Sequence, residues 1–159
     1  MHIRQATTDD CNAISTLAHS IWHSHYPGII TVQQIDYMLS KMYSVEKLNN
    51  LLESGSVILV AEEDEKLLGY ICFREETENS FFLDKLYVDT ALQHKNLGSL
   101  LLEAMLSSLP ENIVIRLQVN RSNYKAINFY FKKGFVIERA EDFDIGNGYF
   151  MNDFVMIKK

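Results

Sequence analysis

The stretch NYKAINFYFKKGF, at residues Asn123–Phe135, decides the fold of this chain of 159 residues. Its first eleven residues are predicted to form a helix that Gly134 ends. Apolar residues recur there at helical spacing and predict one buried face, formed by Ala126, Ile127, Tyr130 and Phe131. The preceding segment NIVIRLQVN, at Asn112–Asn120, is rich in β-branched and aliphatic residues and predicts a strand that leads into this helix.

A second strand–loop–helix unit lies upstream of the first. The strand is SFFLDKLYVD (Ser80–Asp89), and LQHKNLGSLLLEAML (Leu92–Leu106) then passes from a polar loop into an apolar helix that opens at Gly98. The first N–H groups of a helix have no intrahelical partner, and together with the helix dipole they form an anion site. Because Gly98 lets a ligand approach the backbone, and Lys95 and Ser99 add a charge and a hydroxyl, the loop predicts a phosphate site. It is neither a Walker A loop nor a dinucleotide fingerprint.

The first third of the chain predicts one strand, HIRQAT (His2–Thr7), followed by three helices. The first helix takes Thr8 or Asp9 as its N-cap, the second starts near Thr31, and the third is capped by Ser44. The residues expected in the core are Ile14, Leu17, Ala18, Ile21 and Trp22 in the first helix, Ile35, Met38, Leu39 and Met42 in the second, and Leu48, Leu51 and Leu52 in the third.

Four further strands are predicted as two hairpins. SVILVAEE (Ser56–Glu63) and KLLGYICFREE (Lys66–Glu76) are joined by an acidic turn. FVIERAEDF (Phe135–Phe143) and YFMNDFVMIKK (Tyr149–Lys159) close the chain around the turn Gly146–Asn147–Gly148. Since no repeat or linker interrupts the pattern, we expect a single domain over residues 1–159, of the α/β (α+β) class.

Both strand–loop–helix units resemble signatures of the GNAT superfamily, the acyl-CoA-dependent N-acetyltransferases. The pyrophosphate loop of that family reads Gln/Arg-x-x-Gly-x-Gly/Ala, and Gln93-His94-Lys95-Asn96-Leu97-Gly98 is similar to it. Asn96 replaces the first glycine, and asparagine is the non-glycine residue that best tolerates a positive φ. The later signature of the family is matched by Asn123, Ala126, Phe129-Tyr130 and Gly134-Phe135.

The resemblance implies a GNAT fold, with a mixed, mostly antiparallel central sheet flanked by helices. A V-shaped split between the KLYV and IRLQV strands would admit the pantetheine arm of acetyl-CoA, the implied cosubstrate. By resemblance, the backbone at Leu86 and Val88 pairs with pantetheine, and the N–H of Val88 polarises the thioester carbonyl. The residues implied to bind acetyl-CoA are Leu86, Val88, Gln93, His94, Lys95, Asn96, Leu97, Gly98, Ser99, Asn123 and Tyr130.

The implied catalytic groups have structural alternatives. Tyr130 matches the family tyrosine that protonates the CoA sulfur, and its alternative is a core tyrosine on an amphipathic helix. Asn123 is a pantetheine ligand, a helix N-cap, or both. Gln118 stands where some relatives carry a glutamate and cannot take a proton, so Asp84 is the internal candidate for the general base, directly or through water. The alternative for Asp84, given equal weight, is that it is only a solvated charge on the strand. A site that binds the free amine needs no base at all.

In this family the end of the first helix usually lines the acceptor site, which implies that Trp22, His25 and Tyr26 bind the substrate. The alternative is a Trp22 core anchor with surface histidines. The spacing of His23 and His25 resembles that of two metal ligands. Neither a cysteine nor a nearby carboxylate supports a metal site there, so no metal is predicted. Three acidic residues near the end either attract a polyamine cation or are merely solvated: Asp142, Asp144 and Asp153.

Charge and composition limit the possible partners. A net charge of −6 argues against nucleic acid and is compatible with a cationic small substrate. The two cysteines lack metal-type neighbours, and we see neither a leader nor an apolar run that could cross a bilayer. We therefore expect a full-length cytoplasmic protein without a membrane partner.

The predicted function is acetyl transfer from acetyl-CoA to a primary amine of a small molecule. The ending Ala140–Lys159 has some likeness to the spermine and spermidine branch, which makes a polyamine the suggested acceptor. Direct attack in a ternary complex is expected, because no cysteine stands in a convincing nucleophile position. The alternatives are a protein N-terminal acetyltransferase, a non-catalytic acyl-CoA sensor and an unrelated nucleotide binder. A homodimer is expected only because homodimers are common.

Overall fold

Helices and strands alternate along the chain much as the sequence predicts. The computed structural model describes residues 1–91 and 96–159. The strands in that part are β1 (His2–Gln5), β2 (Val57–Glu63), β3 (Lys66–Thr77), β4 (Ser80–Val88), β5 (Val114–Asn120), β6 (Val136–Gly146) and β7 (Tyr149–Lys158). The helices are α1 (Cys11–His25), α2 (Val32–Met42), α3 (Val45–Glu53), α4 (Leu97–Ser107) and α5 (Tyr124–Lys132), with a short 3₁₀ helix at Thr8–Asp10.

The sheet is mixed and mostly antiparallel, as predicted. Its strand order is β1-β2-β3-β4-β5-β7-β6. Antiparallel pairing joins β1 to β2, β2 to β3, β5 to β7 and β6 to β7. The parallel pair is β4 with β5, in which Ser80–Leu83 lie opposite Val114–Leu117. Parallel neighbours need a crossover connection, and α4 supplies it in the chain between them.

The chain divides into two compact units. The first unit comprises Met1–Arg74 with Lys85–Leu109, and the second comprises Glu75–Asp84 with Pro110–Lys159. The predicted V-shaped split concerns the ends of β4 and β5, which belong to different units, and it stays a prediction. The single domain over residues 1–159 likewise stays an expectation.

In the first unit α1, α2 and α3 pack on one another, and both α3 and α4 contact β2. The predicted cap Ser44 is confirmed, because its hydroxyl accepts from Lys47 N at 3.2 Å. The predicted start of the second helix near Thr31 is also confirmed, and the Thr31 hydroxyl caps that helix by accepting from Gln34 N at 3.2 Å. The predicted cores of these helices are confirmed in large part, but Met42, Leu51 and Leu52 are only half-buried. These three side chains lie in the last turns of α2 and α3.

The predicted N-cap of the first helix, Thr8 or Asp9, is wrong. Those residues form the 3₁₀ helix, and α1 begins at Cys11 with Asp10 as its N-cap. The Asp10 carboxylate accepts the Thr7 N–H at 2.8 Å, which gives the chain a capped turn before α1. The same carboxylate takes two bonds of 2.9 Å from Arg4 of β1. This ion pair ties the first strand to the entry of the helix.

In the second unit α5 follows β5 directly, and Gly134 ends the helix with φ +87°. The predicted apolar face is confirmed for Ile127 and Tyr130, but Ala126 is only half-buried and Phe131 is 46% exposed. Position 131 lies about 100° around the helix axis from position 130, so its side chain falls outside the buried face of the helix. Phe135, the first residue after the glycine, is buried at 1% exposure and takes the core position instead. The final hairpin turns at Gly146–Asn147–Gly148, all with positive φ, as predicted.

Candidate active site

The end of β4 carries the first group of predicted acetyl-CoA residues. Leu86 and Val88 are half-buried rather than fully in the core. The neighbouring strand presses closely on this segment, because a Cβ atom at Gly69 would lie 2.8 Å from the Tyr87 carbonyl oxygen. Asp89 N also donates to Leu68 O at 2.7 Å. The backbone of this strand end is therefore held in place by β3. A glycine inside a strand, such as Gly69, can indicate a close backbone approach, but none was predicted here.

The start of α4 carries the second group. Asn96 has φ 82° and ψ 6°, in the left-handed region, which confirms that asparagine sustains the turn where the family pattern has glycine. The helix begins at Leu97, one residue before the predicted start at Gly98, and Ser99 lies in its first turn. The Asn96 side chain makes no cap hydrogen bond, so the first N–H groups of α4 receive no partner from it. The predicted ligands Gln93, His94 and Lys95 lie outside the described residues.

In the second unit, α5 carries Asn123 and Tyr130. The Asn123 Oδ1 accepts from Ala126 N at 3.2 Å, so the N-cap role considered from the sequence is present. Tyr130 is 8% exposed, and its ring meets Phe129 and Phe135 with centroid distances of 5.3 Å and 5.5 Å. The core role of the Tyr130 ring is therefore present too. The pantetheine and general-acid roles of the two residues stay predictions.

The predicted base lies on β4 in the same unit. Asp84 is half-buried and directly follows Leu83, the last residue of β4 in the register with β5. Gln118 is exposed on β5, at the position where relatives carry a glutamate. The base role of Asp84 stays a prediction.

Two of the three predicted acceptor residues, Trp22 and Tyr26, belong to an aromatic cluster in the first unit, which also contains Tyr43, Tyr70 and Tyr87. Trp22 stacks on Tyr26 at 4.2 Å between centroids, and Tyr87 lies 6.0 Å from Trp22. The hydroxyl of Tyr87 lies 3.4 Å from that of Tyr26 and 3.5 Å from that of Tyr43. Burial, and then these two neighbours, raise the pKa of Tyr87 well above its usual range. Tyr87 therefore stays neutral and can donate a hydrogen bond.

One lysine lies against this cluster. Lys85 is 6% exposed, and its Nζ stands 4.8 Å from the centroid of the Tyr43 ring. An ammonium over a tyrosine face is attracted by the negative potential of the ring. The sequence indicated Trp22 and Tyr26 but not Tyr43 and Lys85. Their association arises from tertiary packing, and the sequence alone carried no signal for it.

The histidines divide between surface and half-buried positions. His25 is half-buried with its ring edge-on to Tyr26 at 5.0 Å. The expectation that no carboxylate lies near the histidine pair is wrong, because His23 Nε2 lies 2.9 Å from Asp36 Oδ1. The backbone carbonyl of His19, and then Asp36, raise the pKa of His23. Over residues 1–91 and 96–159, no group of three or more His, Cys, Asp or Glu side chains could hold a metal ion.

The three acidic residues near the end have different environments. Asp142 is exposed and pairs with Arg121, and Asp144 is exposed and accepts the Gly146 N–H at 2.9 Å. Asp153 is 2% exposed, and its Oδ1 is enclosed without a hydrogen-bond partner. Burial raises the pKa of Asp153 to about 6, and the charge of Arg121 opposes part of that rise. Asp153 thus differs from its two neighbours in chemistry as well as in position.

Comparison with known proteins identifies the class. The acetyltransferase (GNAT) family matches residues 17–135. The chain belongs to this family, and it is an N-acetyltransferase that uses acetyl-CoA as its cosubstrate. None of the helices in the described segments is long and apolar enough to cross a membrane.

Individual relatives cover the whole chain. A spermidine N(1)-acetyltransferase of Thermoplasma acidophilum is 31% identical over 166 residues, covering 100% of this chain and 97% of the relative. A crystal structure of the PaiA N-acetyltransferase from T. acidophilum in complex with coenzyme A is 32% identical, with a TM-score of 0.82 over 99% of this chain and 98% of that one. A ribosomal-protein-alanine N-acetyltransferase from Brucella melitensis has a TM-score of 0.68 at 21% identity, with 99% of each chain covered. At that identity the likeness shows the fold alone.

Proposed function

We propose that the acceptor of this N-acetyltransferase is a primary amine of a polyamine such as spermidine. The observation that carries the proposal is the 31% identity to a spermidine N(1)-acetyltransferase over the full length of this chain. The net charge of −6 agrees with it, because a polyamine carries several positive charges at neutral pH.

The aromatic cluster supports a cationic acceptor. The contact of Lys85 Nζ with the Tyr43 ring, 4.8 Å from the ring centroid, supports the proposal that the faces of these rings can hold a cation. Trp22, His25 and Tyr26 are the substrate-binding residues of the proposal, and Tyr87 adds a neutral hydroxyl beside Tyr26. Aromatic faces and hydroxyls together suit an alkyl amine, which presents methylene groups as well as charge.

Transfer proceeds by direct attack of the amine on the thioester in a ternary complex. Cys11 and Cys72 are both fully buried, which supports direct transfer over an acyl-cysteine intermediate. Burial, with the charge of Asp10 as a smaller cause, raises the pKa of Cys11, so its sulfur stays a thiol rather than a nucleophilic thiolate.

The proposed roles of individual residues follow the family signatures. Tyr130 protonates the departing CoA sulfur, the N–H of Val88 polarises the thioester carbonyl, and Asp84 is the base proposed from the sequence. The remaining proposed acetyl-CoA ligands are Leu86, Gln93, His94, Lys95, Asn96, Leu97, Gly98, Ser99 and Asn123.

Two alternatives have less support. A protein N-terminal acetyltransferase finds no support in the B. melitensis neighbour, because 21% identity shows only the common fold. The exposed Gln118, in place of a glutamate, also counts slightly against it. The sensor alternative is wrong, because the chain belongs to a family of acetyltransferases.

The test is CoA thiol release from acetyl-CoA with a panel of spermidine, spermine, amino acids, aminoglycosides and short peptides. Reactions without an amine give the hydrolysis background, and mass spectrometry of the products locates the acetyl group. The expected result is the highest kcat/KM for spermidine or spermine. Preference for a peptide N-terminus or an aminoglycoside would overturn the polyamine assignment.

A further inference from the structure

Asp153 is a buried carboxyl group whose charge the described structure does not neutralise. It lies on β7 at 2% exposure, and its Oδ1 is enclosed without a hydrogen-bond partner. Native proteins pair nearly all of their buried polar atoms, since an unpaired one loses its water without compensation. An exception of this kind calls for a physical reason, and retention for function is one such reason.

The neighbours of Asp153 in the sheet supply little compensation. Its register partners are Asn120 on β5 and Glu141 on β6, one a neutral amide and the other a carboxylate. Asn120 directs its Oδ1 to Ser122 N at 2.9 Å, and Glu141 accepts from Arg139 at 2.9 Å. Arg121, the cation that acts on Asp153, has its guanidinium bonded to Asp142 instead.

Asp10 in the same chain is a carboxylate with a cationic partner, and its pKa can be compared with that of Asp153. Asp10 accepts two bonds of 2.9 Å from Arg4, and this pairing lowers the pKa of Asp10. Asp153 has no such bond, and burial raises its pKa to about 6. A group with a pKa near 6 releases its proton just below neutral pH and is suited to accept one during turnover.

The position of Asp153 in the fold fits the known chemistry. It lies opposite Asn120, the last residue of β5, and Asn123 N donates to Asn120 O at 2.9 Å where α5 begins. Helix α5 carries the proposed general acid, Tyr130. Asp153 therefore lies in the middle of β7, level with the carboxyl end of β5, where the chain passes from β5 into that helix.

We infer that Asp153 is the group that takes the proton from the acceptor ammonium before acetyl transfer. The inference rests on the proposed function, because an alkyl amine arrives protonated and only its neutral form can attack. Since Oδ1 is enclosed, the proton reaches it through water rather than from the amine directly. Asp84, proposed from the sequence, is only half-buried, and Gln118 cannot accept a proton.

Both protons that the acceptor nitrogen loses during acetyl transfer are accounted for. The ammonium gives one proton to the Asp153 carboxylate and becomes a neutral amine. The amine nitrogen then forms a bond to the thioester carbon, and the C–S bond breaks. The CoA sulfur leaves as a thiol, with the second proton that the nitrogen loses on becoming an amide. Asp153 afterwards returns its proton to solvent.

The test compares the pH profiles of kcat/KM for the wild type and Asp153→Asn with the preferred amine. We expect the wild-type profile to have an acid limb near pH 6, and Asp153→Asn to lose that limb and at least ten-fold in kcat/KM. The Kd of acetyl-CoA should stay unchanged. Thermal stability at pH 7 should equal or exceed that of the wild type, because the variant no longer buries a charge. Asp64→Asn, in an exposed turn that asparagine also adopts, is the matched control.

Two results would overturn the inference. One is an Asp153→Asn enzyme with the wild-type acid limb and kcat/KM. The other is a loss of activity that comes with a weaker acetyl-CoA complex and a lower Tm, which is the pattern of a purely structural residue. If the wild type turns over another amine class instead of polyamines, the proposed function fails by itself. The Asp153 comparison is then made on the accepted amine, and the same two results decide it.

Discussion

The backbone of Gly69 on β3 lies so close to Tyr87 on β4 that a Cβ atom at position 69 would stand 2.8 Å from the Tyr87 carbonyl oxygen. The same Cβ would lie 3.1 Å from Val88 Cγ1 and 3.2 Å from Val88 Cα. Most of these atoms belong to the backbone, which cannot move aside as a flexible side chain can. A side chain at position 69 must therefore displace the strand end whose N–H is proposed to polarise the thioester.

Gly69→Ala is expected to weaken acetyl-CoA binding and lower kcat. The inserted methyl group forces the backbone of Tyr87 and Val88 away from β3, at a cost in stability of about 1–3 kcal/mol. Titration calorimetry with acetyl-CoA and steady-state rates measure the effect on the site, and thermal unfolding measures the effect on the fold.

The control for Gly69→Ala is Ile71→Val, two residues along the same strand. Ile71 is fully buried, and the loss of one methyl group there costs about 1 kcal/mol in stability. This substitution removes atoms and therefore inserts none against the Val88 backbone. If Ile71→Val weakens acetyl-CoA binding as much as Gly69→Ala does, general loss of stability explains both, and the close approach has no special role.

Tyr130→Phe is expected to reduce kcat about ten-fold or more, with little change in the Kd of acetyl-CoA. The substitution keeps the ring that meets Phe129 and Phe135 and removes only the hydroxyl proposed to protonate the CoA sulfur. Tyr124→Phe is the matched control, because Tyr124 lies on the same helix and is 71% exposed. Equal rates for Tyr130→Phe and the wild type would remove Tyr130 from the mechanism.

The features that the sequence predicted well depend on a few neighbouring residues. Ser44 caps α3 through a bond to an N–H group three residues away, and the second helix starts beside Thr31 as predicted. Both signals lie in a short local pattern. The left-handed turn at Asn96 was predicted for the same reason, since φ preference belongs to a single residue. The two family signatures extended these local signals to the whole fold.

The features that the sequence could not specify depend on tertiary position. Asp142, Asp144 and Asp153 are the same residue type in one short segment, yet only Asp153 is buried. The reason is strand order: Asp153 lies on β7 between β5 and β6, whereas the other two lie on β6 at the edge of the sheet. Tyr43 and Tyr87 likewise meet only because separate elements pack together.

Asn123→Ala is expected to lose both helix stability and acetyl-CoA affinity. The cap bond to Ala126 N stabilises the start of α5 by about 1 kcal/mol, and the proposed pantetheine bond disappears with the same side chain. Calorimetry should show weaker acetyl-CoA binding for Asn123→Ala and also for Asn123→Ser, which keeps a capping oxygen.

Ser44→Ala separates the two effects of the Asn123 substitutions. It removes a cap of the same kind from α3, and we expect a similar loss of stability with the wild-type affinity for acetyl-CoA. Wild-type affinity in Asn123→Ser would mean that Asn123 acts only as a cap.

Asp10→Asn is expected to lower stability at pH 7, and its deficit relative to the wild type is expected to shrink as the pH falls below 3.8. The bonds from Arg4 lower the pKa of Asp10 below its ordinary value of 3.8. A carboxyl group with a lowered folded-state pKa stabilises the protein above its unfolded-state pKa, and this stabilisation is lost as pH falls through the folded-state value. Because the Arg4 side chain is 37% exposed, solvent screens the pair. We therefore expect Asp10→Asn to lose no more than about 1 kcal/mol of stability, or about 2–4 °C in Tm.

Thermal unfolding of Asp10→Asn and the wild type from pH 3 to pH 8 measures the difference, with Asp9→Asn in the same 3₁₀ helix as the control. A gap between Asp10→Asn and the wild type that stays the same size from pH 8 to pH 3 would show that the carboxylate charge is not its source.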